Sequence, residues 1–198
     1  MPYFPKAMNT KLTLAVLIVT LLSFSLQWWQ PDFIYVKNSV NHGEWWRVIT
    51  GQFVHTNWPH FALNIGSLIL FALLFYNTIR VTTFTISLFL LVLSIGLCIH
   101  LFEPRIHWYA GLSGAIYGLY IIGAHTAYRA GDRLVGSAVS ILVIGKAVYD
   151  HWAGPLQNNA ELIGARVVTE SHLYGIATAI VMIGLASLYR LTSKPTSH

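Results

Sequence analysis

The chain has 198 residues, 55% hydrophobic and only 10% charged, with a mean hydropathy of +0.58. Soluble domains carry about 25% charged residues, so this composition excludes a water-soluble enzyme and fits an all-α membrane protein, one domain over 1–198. The formal charge of +5 forms no basic stripe, because the lysines and arginines sit between apolar runs; the expected partner is the lipid bilayer, with no nucleic acid.

Six runs reach the roughly 17–25 residues that cross a bilayer. They fall at 12–29, 60–76, 82–102, 112–128, 134–152 and 168–189. Lys6 and Lys11 precede the first, as in a signal peptide, but Leu26-Gln27-Trp28-Trp29 offers no small-residue cleavage site, so an uncleaved span is expected. With the N-terminus inside, cytoplasmic segments hold seven basic residues (Lys6, Lys11, Arg80, Arg129, Arg133, Arg190, Lys194). The external ones hold four (Lys37, Arg47, Arg105, Arg166), and Lys146 lies within the fifth span. The positive-inside rule then places both termini in the cytoplasm, and all seven tryptophans fall on the outer side as an aromatic belt. Cys98, the single cysteine, lies inside the third span, so no intrachain disulfide and no Cys-based metal site is expected.

The loop at 30–59 is external and contains Gly43-Glu44-Trp45-Trp46-Arg47-Val48-Ile49-Thr50. It is aromatic enough to lie in the headgroup region, and Glu44 and Arg47 are adjacent if the segment is helical. For Trp46 and Arg47 alone, interfacial anchoring is the ordinary role. The second span opens with His55 to Asn64; His60 and Asn64, four apart, share a helical face near its outer end. Interhelical hydrogen bonding would explain both. A metal reading is weak, since there is no HExxH and a helix would splay His55 from His60.

The fourth span begins Tyr109-Ala110-Gly111-Leu112-Ser113-Gly114-Ala115-Ile116-Tyr117-Gly118. Ser113 stands at the N-cap or first turn, beside backbone N–H groups without intrahelical partners, which can stabilise a developing oxyanion. The plainer reading is a serine cap followed by a small-residue packing seam at Gly114 and Gly118. The sixth span opens with Glu170-Ser171-His172-Leu173-Tyr174-Gly175, and His172, Gly175 and Ala179 lie on one face. Pressing that face against Gly114 and Gly118 would bring His172 toward Ser113 as general base. No carboxylate is obviously placed to orient the ring, so the pair would be a dyad. Tyr117, one turn after Ser113, could pack against the imidazole. Lys146 and Asp150, four apart in the fifth span, read as a local ion pair.

These residues resemble the rhomboid intramembrane serine proteases. Gly111-Leu112-Ser113-Gly114 is similar to the family's GxSG motif, His172 to Gly175 to HxxG, His60 to Asn64 to HxxxN, and Glu44 to Arg47 to ExWR. The four occur in family order over 43–179. The resemblance implies a six-helix bundle with Ser113 and His172 catalytic. The side chains of His60 and Asn64 and the backbone N–H groups of Leu112 and Ser113 would form the oxyanion hole. Gly111, Gly114, Tyr117, Gly118 and Gly175 would support the site, with Glu44, Trp46 and Arg47 shaping the loop and no cofactor or metal. The run from Gly51 to His60 resembles the rhombosortase branch. That branch implies a bacterial inner-membrane enzyme open to the periplasm. Its substrates would be exported proteins ending in Gly-Gly, an apolar helix and a basic tail, released by hydrolysis or transfer to an amine. Two rivals are a rhomboid-like protein that binds membrane clients without cutting them and a channel or transporter with a histidine relay. The second would favour internal repeats, and residues 1–100 and 101–198 show none. The remaining histidines have no assigned role, and 190–198 is expected to be a disordered tail.

Overall fold

The computed structural model describes residues 10–154 and 157–193, with 157–159 described by backbone alone. The first apolar run folds as α1 (Thr10–Gln27). The second folds as α5 (Trp58–Phe75), which starts two residues before the expected boundary for a local reason. Asn57 is extended and its side chain accepts from the His60 N–H at 2.8 Å, with Pro59 in the first turn. Both features favour a helix start there. The third is α6 (Val81–Phe102), the fourth α7 (Ser113–Arg129), the fifth α8 (Arg133–Ala153) and the sixth α10 (Thr169–Thr192). A short α9 (Gln157–Ile163) lies between the last two. Because α10 continues to Thr192, Arg190 and Leu191 are helical rather than part of a tail; 194–198 lie outside the described residues.

Five of these helices (α1, α5, α6, α8 and α10) are long and apolar enough to cross a membrane. Their outward faces carry large apolar side chains such as Leu70, Phe89, Ile141, Leu142 and Leu185, each more than half exposed. Apolar surface of that extent needs lipid against it. The 17-residue α7 is the inner helix: α5, α6, α8 and α10 all pack on it, and ten of its residues are buried, among them Leu119, Ala124 and Ala127. An inner helix is sheltered by its neighbours, so it tolerates the glycines, tyrosines and threonine that dilute its apolar character.

The 30–59 loop is folded rather than spread on a surface. It contains α2 (Gln30–Phe33), β1 (Tyr35–Val36), α3 (Lys37–Asn41) and α4 (Arg47–Thr50). Strand β1 pairs antiparallel with β2 (Trp108–Tyr109), Tyr35 opposite Tyr109 and Val36 opposite Trp108. Helix α4 sits against α6, where a Cβ on Gly96 would lie 2.1 Å from the Val48 carbonyl, so only glycine fits. Buried Gln52 donates to the Val92 carbonyl at 2.5 Å, fixing the same contact one turn along.

Arg47 is not an interfacial anchor. It is 8% exposed, its Nε meets Glu44 Oε2 at 2.5 Å, and one Nη donates to the carbonyls of Pro31 and Ile34 at 2.9 and 2.8 Å. A guanidinium holds three such acceptors at once because its donors form a fixed fork. Glu44 reaches it across a turn, since the helix begins only at Arg47. Trp46 is half exposed and donates to the Asp32 carbonyl at 3.4 Å. His100, which has no role by spacing, lies 3.0 Å from the Tyr35 hydroxyl and offers its carbonyl to Lys37 Nζ.

Candidate active site

The approach to Ser113 is fixed by the loop before α7. Gly111 has φ +121°, a conformation L side chains rarely adopt, and a Cβ there would lie 2.7 Å from the His60 ring. Its N–H donates to the Gly51 carbonyl at 3.1 Å and its carbonyl accepts from the Tyr109 hydroxyl at 2.8 Å. Burial pushes the Tyr109 phenol up to about 12, against weaker opposing hydrogen bonds from Ser171, Ser113 and the Gly114 backbone, so it stays a donor. The 30–59 loop therefore grips this segment through β1–β2 pairing and through Gly51. Leu112, fully buried, is the N-cap and Ser113 the first residue of α7. The first intrahelical bond runs from the Ile116 N–H to the Leu112 carbonyl. The N–H of Ser113 stands ahead of that bond, among the donors a helix start leaves unpaired.

Helices α7 and α10 meet along a glycine seam. A Cβ on Gly114 would lie 2.7 Å from the Ser171 carbonyl, one on Gly118 2.7 Å from the Gly175 carbonyl, and one on Gly175 2.0 Å from the Gly114 carbonyl. Backbones this close carry His172 over the first turn of α7, where its Nε2 is 3.0 Å from Ser113 Oγ. The imidazole also stacks on Tyr117, ring centroids 4.1 Å apart and planes within 7°. The ring thus packs on Tyr117 and reaches Ser113 together. Both His172 and Ser171 are buried, and Ser171 Oγ is satisfied by the Val168 carbonyl at 2.7 Å.

His60 and Asn64 border the same space. His60 Nδ1 lies 3.1 Å from Thr56 Oγ1 and 3.4 Å from the Thr56 N–H, which leaves Nε2 toward Gly111. Asn64 Nδ2 gives one hydrogen to the His60 carbonyl at 3.0 Å and keeps the other. Two cavities adjoin Ser113. One, of about 180 Å³, is bounded by Thr56, His60, Trp108, Tyr109 and Ser171; the other, of about 220 Å³, by Asn64, Tyr117, Lys146, Asp150 and His172. A serine hydroxyl against a buried imidazole, with spare donors nearby and room for an extended chain, can carry out acyl transfer. Among the described residues no group of three or more His, Cys, Asp or Glu is placed to hold a metal ion.

Thr56, Asn57, Tyr109 and Gly51 are the residues that sequence reasoning left out. Thr56 and Asn57 hold His60, and Tyr109 holds Gly111, over two to four residues, so Asn57 ahead of Pro59 is a readable cap signal. The Gly51 carbonyl on Gly111 and the ties of Thr56 and Asn57 to the Ile163 and Leu162 carbonyls join distant segments that no spacing announces. Lys146 and Asp150 do form the expected ion pair, but it borders the site.

A rhomboid domain profile matches residues 42–189, about three quarters of the chain. The chain belongs to the rhomboid family. A relative from Bacillus subtilis (strain 168), named "Putative rhomboid protease YdcA", is 23% identical over 167 residues, covering 84% of this chain and 79% of its own. Family and apolar helices together make this rhomboid a multi-pass membrane protein, and they support serine protease activity.

Proposed function

We propose that this rhomboid is a six-span intramembrane serine endopeptidase with both termini cytoplasmic and its site open to the outer face. The observation that carries this reading is Ser113 Oγ at 3.0 Å from His172 Nε2, at the first turn of a buried helix. Ser113 Oγ attacks the scissile carbonyl carbon as His172 Nε2 takes its proton. The oxyanion receives hydrogen bonds from the backbone N–H groups of Ser113 and Leu112 and from His60 Nε2 and Asn64 Nδ2. Collapse expels the amine, which takes the proton from Nε2 and leaves an acyl-enzyme. Water then attacks the ester carbonyl as Nε2 takes its proton; the C–Oγ bond breaks, the acyl group leaves with the water oxygen as the new carboxyl terminus, and Nε2 returns the proton to Ser113 Oγ. His60 can donate from Nε2 when Nδ1 accepts the Thr56 N–H, so Thr56 sets the tautomer.

The substrates are membrane-anchored exported proteins of a bacterial inner membrane, with an apolar C-terminal helix and a basic tail, cut near a Gly-Gly on the periplasmic side. The support for this finer assignment is the resemblance of Gly51 to His60 to the rhombosortase branch. The test is co-reconstitution in liposomes with a reporter ending in Gly-Gly, an apolar helix and a basic tail, beside one with the Gly-Gly changed to Leu-Leu. Truncation of the first reporter alone, absent with Ser113→Ala, is the expected result, and the product mass separates hydrolysis from transfer to an added amine. Equal cutting of both reporters would remove the Gly-Gly assignment. No cutting of any anchored reporter would favour a protein that holds membrane clients without cleaving them.

A further inference from the structure

Helix α8 carries a charged pair that the reaction above does not use. Lys146 Nζ donates to Asp150 Oδ2 at 2.5 Å, and the two ends differ in setting: the lysine side chain is 45% exposed, the aspartate 3%. Only Gly136, Ala147 and Asp150 of α8 are buried, so Asp150 lies on the narrow face that packs toward α7 and α10. Its second oxygen, Oδ1, is buried with no hydrogen-bond partner among the described residues; the same holds for Nδ1 of His172. Both residues border one cavity of about 220 Å³, with Ser113 and Tyr117.

If His172 takes the Ser113 proton at Nε2, the neutral ring must carry its own proton at Nδ1. The site then holds one buried donor and one buried acceptor, each without a partner, an arrangement native structures avoid. The other carboxylate near in sequence, Glu170, meets Arg166 at 2.9 Å and does not border this cavity. The side chains whose fields reach His172 are Asp150, Lys146 and His60, and Asp150 is the one acid among them.

Resting on the protease reading, we propose that Asp150 is the positioning residue of the general base. Its Oδ1 accepts the Nδ1–H of His172, directly or through one water in the cavity, which fixes the tautomer and stabilises the imidazolium as it forms. Lys146 occupies Oδ2, leaving Oδ1 for the ring. The dyad becomes a triad whose third member comes from α8.

The test is the rate of labelling by a fluorophosphonate over a series of concentrations, using the full chain in detergent. Phosphorus bonds to Ser113 Oγ, fluoride leaves, and His172 takes the hydroxyl proton. The maximal rate therefore reports the base, and the half-saturating concentration reports binding. Asp150→Asn should lower the maximal rate about tenfold or more, since general-base catalysis is worth about 10²–10⁴, and move half-saturation less than about twofold. Asp150→Glu should recover part of the rate. The double variant Lys146→Met with Asp150→Leu strands no buried charge and should keep its fold, yet label as slowly as Asp150→Asn. A double variant labelled at the wild-type maximal rate would overturn the proposal and leave the protease reading standing. So would a change confined to half-saturation. A wild type that takes no label would overturn the protease reading itself, and this inference with it.

Discussion

Two side chains of α5 show how single residues divide their groups between fold and site. Asn64 gives one amide hydrogen to the His60 carbonyl and keeps the other beside Ser113, while His60 ties Nδ1 to Thr56 and keeps Nε2. Loss of one oxyanion donor costs about 10²–10³ in rate. Asn64→Ala should therefore slow reporter cleavage by that factor, with the thermal midpoint nearly unchanged, because the His60 carbonyl is already within the helix. An unaltered rate would remove Asn64 from the oxyanion hole. His55 behaves differently. Both ring nitrogens are buried without a hydrogen-bond partner among the described residues, the ring stands 5.0 Å from His60 at a right angle, and its backbone is clasped by Gln27. Burial, with a smaller contribution from the His60 charge, holds its pKa at about 3. The folded chain thus keeps His55 neutral while the unfolded chain takes up a proton below about 6.5. Stability from this residue is complete above that pH and falls between about 6.5 and 3, by at most about 1.4 kcal/mol per pH unit. His55→Phe should flatten the decline in thermal midpoint between pH 7 and pH 4; parallel curves would contradict this. Spacing had separated the two histidines by assuming helix back to residue 55. The Asn57 cap starts it at Trp58, and that lets the rings meet.

At the scale of elements, the α7–α10 contact was legible because it is written in local periodicity. Gly114 with Gly118, and His172 with Gly175 and Ala179, each mark one helical face, and the contact places Ser113 against His172. A consequence is a sharp contrast between two glycines of the same helix. Gly175→Ala puts a Cβ 2.0 Å from the Gly114 carbonyl, backbone that cannot yield, whereas at Gly184 nothing lies within 4 Å. The first should part the seam, lowering the thermal midpoint and abolishing cleavage. The second should be neutral or stabilise by about 0.5–1 kcal/mol through helix propensity. Equal effects on melting would show that the seam is not what holds these helices. The β1–β2 pairing was not legible, since two residues at 35–36 and two at 108–109 carry no pattern that joins them. Nor was the inward turn of Asp150: most of α8 is exposed, so its apolar sequence marks no face.

For the whole molecule, charge asymmetry gives an orientation that internal packing does not. The proposal puts Arg105 outside and Ser193 inside. After Cys98→Ala removes the native thiol, Arg105→Cys should react with a membrane-impermeant maleimide in intact spheroplasts. Ser193→Cys should react only after permeabilisation. The reverse pattern would invert the topology and turn the site toward the cytoplasm. A site facing the cytoplasm would leave proteins exported across that membrane out of reach.

The central claim is that the glycine seam builds an activated serine, and intact mass after fluorophosphonate treatment tests it most directly. One adduct on the wild type, mapped to Ser113 and missing from Ser113→Ala and His172→Ala, is the expected result. An unlabelled wild type with helical content and monodispersity intact, in detergent and again in lipid, would contradict it.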